Sequence, residues 1–149
     1  MRDAGRVEEL LLWPTKGCPQ PQVVPRAEAV PGTGLEGDQK RGRTRQVTLL
    51  ARESWQAATE ELGVDAPPSS RRANVVIGGL DLSNTIGRRL RLGPVLIQVH
   101  GETDPCEMMD RVAPGLKEAL TPDRRAGVFG AVIEGGACLL YTSPSPRDS

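Results

Sequence analysis

Seventeen glycines and thirteen prolines interrupt the 149 residues of this chain, and so dense a supply of turn formers is what most restricts its fold. Short strands joined by many turns suit such a sequence, whereas a helical bundle does not. The length points to one domain with one modest core.

The order of strand and helix signals follows from hydrophobic periodicity between the breaks. Val7 to Trp13 reads as a first strand and Gln22 to Val30 as an irregular second one, broken by Pro25. A glycine-rich basic loop from Pro31 to Thr44 leads into a strand from Arg45 to Leu50. Ala51 to Leu62 then turns helical, with Trp55, Ala58 and Leu62 on one narrow apolar face and Gly63 placed to end it. Ala73 to Ile77 is a short β-branched run, and Gly87 to Leu92 with Pro94 to His100 reads as a hairpin turning at Gly93-Pro94. Two short helices, Pro105 to Arg111 and Pro114 to Leu120, each open on a proline. A last strand runs from Gly127 to Glu134. The predicted class is therefore mainly β with a few short helices.

Nineteen basic residues balance nineteen acidic ones, so no global field draws the protein to nucleic acid or to an anionic membrane. Any anion site must be local. No apolar stretch is long enough to span a bilayer and the N-terminus lacks a signal-peptide pattern, which leaves a cytoplasmic location as the default expectation. The three widely spaced cysteines do not suggest a disulfide framework. With His100 as the single histidine, a His-rich zinc site cannot be built. At a strand end His100 reads as structural rather than catalytic.

The segment from Cys138 onward, Cys-Leu-Leu-Tyr-Thr-Ser-Pro-Ser-Pro-Arg-Asp-Ser, back-translates to a string that resembles the transposon-end adaptor of sequencing libraries. On this reading residues 1–137 form the domain and residues 138–149 are an adaptor-derived, disordered tail, with the natural frame lost near Cys138. A natural Ser/Pro-rich tail is the alternative.

Cys106 is the residue of greatest chemical interest. In Asp104-Pro105-Cys106-Glu107, Asp104 suits an N-cap, Pro105 the first helical position and Glu107 the third, which sets the thiol at the second. Free amide N–H groups there would favour a thiolate, a nucleophile and soft-metal ligand. An inert helix-start cysteine is the competing reading. Basic residues gather in three loops, at Lys40, Arg41, Arg43 and Arg45, at Arg71 and Arg72, and at Arg124 and Arg125. Arginine forks bind phosphate in bidentate fashion, although solvated surface charge is the usual fate of any one pair. Asn74 either bonds a polar ligand or closes the turn before its strand, and Glu36 and Asp38 either position a ligand or cap turns. Met108 and Met109 are expected to pack their helix on the core.

Taken in order, Gly34-Leu-Glu-Gly-Asp, Arg45-Gln-Val-Thr-Leu-Leu, Arg72-Ala-Asn-Val-Val-Ile-Gly-Gly-Leu-Asp-Leu, Gly87-Arg, Pro105-Cys106, Pro114-Gly-Leu and the strand from Gly127 to Gly136 resemble the MOSC domain, the family named after the C-terminal domain of molybdenum cofactor sulfurases. The resemblance spans roughly Val7 to Gly136. It implies an irregular MOSC-type β-barrel, here lacking its closing C-terminal strand, and a molybdenum cofactor (molybdopterin) as ligand. It implies Cys106, at the family's Pro-Cys position, as catalytic residue and molybdenum ligand. Arg72 and Asn74 match the family's Arg-x-Asn element, and Arg45, Lys40, Asp38 and Arg71 complete the expected cofactor contacts. The sequence departs from the family pattern at Gln39-Lys40, where basic or histidine residues often stand, and at Arg125-Ala126-Gly127-Val128, where Arg-Gly-Gly-Val is commoner.

The implied activity is reduction of a small N-oxygenated substrate, with electrons from a separate donor protein because no flavin or iron–sulfur motif is visible. A non-catalytic carrier or sulfur-transfer domain for the cofactor, working with a cofactor-biosynthesis enzyme, is the alternative, and a barrel without cofactor is the third. Cys18 lies in a Pro-rich turn outside the matched segments.

Overall fold

The computed structural model describes residues 5–40, 42–142 and 144–147. Along the chain lie β1 (Arg6–Leu12), β2 (Gln22–Val23), β3 (Arg26–Val30), β4 (Gly34–Leu35), β5 (Val47–Ala51) and α1 (Arg52–Leu62). A 3-10 turn, Pro68–Arg71, precedes β6 (Val75–Gly78), β7 (Arg89–Leu92) and β8 (Val95–Glu102). Two short helices, α2 (Glu107–Val112) and α3 (Leu116–Ala119), lead to β9 (Val128–Glu134), β10 (Gly136–Leu139) and β11 (Pro144–Arg147). The architecture is mainly β, as expected.

Eight strands form one curled sheet in the order β11-β7-β8-β9-β5-β6-β1-β2, a half-barrel with β11 and β2 at its edges. A smaller sheet, β10-β3-β4, covers part of it. Alternation along the strands explains the two cores. Leu49, Val75 and Ile77 face the barrel interior with Val7, Leu10, Ile97 and Val128, while Leu50 points outward and meets Trp55, Ala58, Leu116 and Leu120 on the helices. Covered on both faces, β5 is buried at every position, which is why it reads as a continuous apolar run. Each such leucine contributes about 1.5–3 kcal/mol by leaving water.

β5 and β6 are parallel, with Leu49 opposite Val75, and α1 supplies the crossover that a parallel pair requires. The helix ends at Gly63, whose φ of 65° lets its N–H reach the carbonyl of Glu60 while the Val64 N–H reaches Thr59. The hairpin forms as predicted, with Leu92 opposite Val95 across Gly93-Pro94. The strand expected over Gln22 to Val30 is divided into β2 and β3 around Pro25, since proline cannot donate to a ladder.

The stretch expected to be a disordered tail carries two strands. Cys138 pairs with Ala27 in β10, and Pro144 to Arg147 pairs with β7 along the edge of the main sheet. Unpaired edges of β3 and β7 accept almost any extended segment, and an edge strand tolerates proline. Positions 143, 148 and 149 lie outside the described residues.

No helix among the described residues is long and apolar enough to cross a membrane.

Candidate functional site

Strand direction gathers the site. Because β5 and β6 run side by side, the residues that enter them, Arg45 and the pair Arg71-Arg72, stand at one end of the sheet. β1 is antiparallel to β6, with Leu10 opposite Val75, so the segment after β1 reaches the same end and brings Trp13 and Cys18. A cavity of about 510 Å³ opens there, lined by Cys18, Arg45, Arg71, Arg72, Cys106 and Met108 among others. Its volume lies within the range of small-molecule sites.

Arg72 adopts a left-handed φ of 65°, which turns two consecutive guanidinium groups in different directions. Arg71 Nε donates to the carbonyl of Ala126 (3.0 Å), and Nη2 donates to those of Thr103 (2.8 Å) and Asp104 (3.2 Å). It thereby fixes the chain that presents Cys106. Burial depresses the Arg71 guanidinium from its ordinary value and the neighbouring Cys106 opposes that shift; an arginine stays charged regardless. Arg72 lies 4.0 Å from the ring centroid of Trp13 and donates from Nη1 to the Cys18 carbonyl (2.8 Å), with Nη2 3.9 Å from the Cys18 sulfur.

Cys106 is exposed at the cavity, but not at the second helical position. Its φ and ψ of −122° and 176° are extended, it occupies the N-cap position itself, and its carbonyl accepts the Met109 N–H at 2.9 Å. The predicted capping box does not form. Arg71 holds the carbonyls of Thr103 and Asp104, and α2 begins only at Glu107.

The other expected site residues separate clearly. Arg45 borders the cavity and lies 5.7 Å over the Phe129 ring. Lys40 is exposed, and its neighbour Gln39 lines the cavity in its place; Arg41 lies outside the described residues. Asp38 acts at one remove, its Oδ1 accepting the Trp13 N–H at 2.8 Å. Asn74 is fully buried: its Oδ1 accepts the N–H (3.0 Å) and hydroxyl (3.2 Å) of Thr48, and its Nδ2 donates to the Leu11 carbonyl (3.1 Å). It ties β1, β5 and β6 together and does not reach the cavity. Arg124 and Arg125 do not converge on the site, since Arg124 donates to the Ser83 carbonyl at 2.7 Å and Arg125 pairs with Glu61 at 2.8 Å. Met109 is buried as expected, whereas Met108 is 52% exposed and lines the cavity.

Cys18 is the functional candidate that the sequence reading passed over. A hydrogen bond from the Thr15 backbone draws its thiol below the ordinary value, burial opposes this, and the Arg72 guanidinium adds to the lowering. The one signal for it is topological: once β1 and β6 are antiparallel neighbours, residues following Leu12 must lie beside those preceding Val75.

Another cavity, of about 520 Å³, borders Glu53, Asp81 and Asp123 with Arg125. It has no thiol, and its arginine is already paired with Glu61. Among the described residues no three His, Cys, Asp or Glu side chains are grouped to hold a metal. A metal at Cys106 would therefore need ligands of its own.

The MOSC domain family model matches residues 36–138. Solved structures share the fold. The YuaD protein from Bacillus subtilis aligns with a TM-score of 0.80 and 19% identity over 100% of this chain and 98% of that one. YiiM from Escherichia coli gives a TM-score of 0.72 and 20% identity over 97% and 70%. YiiM from Geobacillus stearothermophilus gives 0.74 and 14% over 97% and 75%. No curated protein matches by sequence.

Proposed function

Because the chain belongs to the MOSC domain family, we propose that the Cys106 cavity binds the molybdenum cofactor and serves an oxidoreductase that reduces small N-oxygenated substrates. One observation carries this reading: an exposed cysteine and three arginines, Arg45, Arg71 and Arg72, line one cavity of about 510 Å³. The donor set fits the group. A thiolate suits a soft metal that arrives with its own dithiolene sulfurs, and guanidinium forks suit its phosphate.

When bound, the cofactor supplies two-electron chemistry at molybdenum, and the electrons come from a separate donor protein. The chain's own residues do the rest. Cys106 presents its sulfur as ligand, from a segment that Arg71 anchors through the Thr103 and Asp104 carbonyls. Arg72, held over the Trp13 ring, and Arg45 offer positive charge to the phosphate. Met108 and Pro19 give the cavity apolar wall, which favours a flat heterocycle over water.

The carrier reading has its own support, since Cys106 and Met108 are both exposed, so a bound group stays within reach of a second protein. Protein purified from a host that makes the cofactor should contain molybdenum by mass spectrometry and release a fluorescent pterin, with both lost in Cys106→Ser. Metal content unchanged by that substitution overturns the assignment. Turnover of hydroxylamine-type substrates with an artificial reductant separates enzyme from carrier.

A further inference from the structure

Two of the three cysteines, 18 and 106, are far apart in sequence yet line the same cavity, whereas Cys138 is 2% exposed in the barrel core. Each cavity cysteine lies in a segment that one member of a consecutive arginine pair holds. Arg72 Nη2 lies 3.9 Å from the Cys18 sulfur, and Arg71 holds the segment that leads into Cys106 through the Thr103 and Asp104 carbonyls. The left-handed backbone of Arg72 turns the two guanidinium groups apart, one to Cys18 and the other to the carbonyls ahead of Cys106. Neither cysteine sits inside a helix or strand: Cys18 follows a turn closed by its own N–H on the Thr15 carbonyl at 3.2 Å, and Cys106 is in extended backbone ahead of α2. The backbone of neither is therefore locked into a helix or strand ladder.

We propose that Cys18 and Cys106 form a dithiol site that jointly binds a thiophilic metal or metalloid centre carrying anionic groups, sulfur taking the soft atom and the arginines the charge. Sulfur donors select soft centres, and the guanidinium forks favour oxyanion or phosphate substituents over a bare cation. Applied to the molybdenum cofactor, this inference rests on the reading above and adds Cys18 as a second residue that retains it. The dithiol itself does not depend on the cofactor.

Phenylarsine oxide tests the pair directly in the reduced, cofactor-free protein. Two arsenic–sulfur bonds form, the arsenic–oxygen bond breaks, and the oxygen leaves with the two thiol protons as water. No oxidant is needed. One equivalent should bind, resist 2-mercaptoethanol and be released by 2,3-dimercaptopropanol. Because the second sulfur adds as an intramolecular contact, Cys18→Ser and Cys106→Ser should each weaken binding by about 10²- to 10⁴-fold, and Cys138→Ala should leave it unchanged. A single-thiol variant that binds as tightly as the parent overturns the proposal.

Peptide mapping of iodoacetamide labelling asks the same question of the unaltered chain. The arsenical should protect Cys18 and Cys106 together, and protection of one without the other sinks the idea. The two readings fail separately. Arsenical bridging in a protein that never acquires molybdenum removes the cofactor and keeps the dithiol; molybdenum lost in Cys106→Ser but retained in Cys18→Ser, without bridging, does the reverse.

Discussion

Arg71 holds the segment that presents Cys106: its Nη2 donates to the Thr103 and Asp104 carbonyls at 2.8 and 3.2 Å, while Nε donates to the Ala126 carbonyl at 3.0 Å. The planar fork joins β8's exit to β9's approach, so the thiol is positioned by a residue from a third part of the chain.

Lysine in place of Arg71 keeps the charge but loses the fork. Hydrogen bonds to a charged group are worth about 1.5–3 kcal/mol each, and water replaces part of that at this half-buried site, so Arg71→Lys should cost about 1–3 kcal/mol in urea unfolding. Amide exchange should quicken over residues 103–109 and stay unchanged in β6. Unaltered exchange around Cys106 would show that Arg71 does not position it.

Asn74 is expected to behave as structure, not as a ligand contact. Removing its amide in Asn74→Ala leaves the buried Thr48 N–H without the Oδ1 acceptor and the Leu11 carbonyl without its Nδ2 donor, at about 1–3 kcal/mol for each buried group left unsatisfied. The unfolding midpoint should fall sharply whether or not any ligand is present. A variant of parental stability that no longer retains molybdenum would restore Asn74 to the binding set.

How much of this could be read in advance depended on the range of the interaction. The hairpin at Gly93-Pro94 and the stop at Gly63 are local, set by residues within one turn, and the sequence carries them plainly. Cys106 and the arginine pair were legible as chemistry because thiol and guanidinium are rare enough to notice. Their arrangement was not, since it is made by pairing between β1, β5 and β6, whose partners lie tens of residues apart. The local signal at Asp104-Pro105 pointed to a cap, but Arg71 bonds the two carbonyls ahead of Pro105 and the helix starts later. Cys18 was hidden for the same reason: nothing near it in sequence announces Arg72.

Cys138 gives a prediction with a definite sign. Burial in the barrel core pushes its thiol from the ordinary 9.0 up to about 11, because a thiolate there would have no water around it. The folded protein thus keeps this proton at pH values where the unfolded chain has released it. The resulting stability is fully present below pH 9.0 and is lost as pH rises through the folded value near 11. Across that window the free energy of unfolding should drop by up to about 1.4 kcal/mol per pH unit on account of this group. Other groups titrate in the same range, so the comparison is with Cys138→Ala, which lacks the thiol. Urea unfolding under reducing conditions between about pH 8 and pH 11 should show the parent losing stability faster than the variant. Parallel curves would mean that Cys138 is reached by water and that β10 does not seal this part of the core.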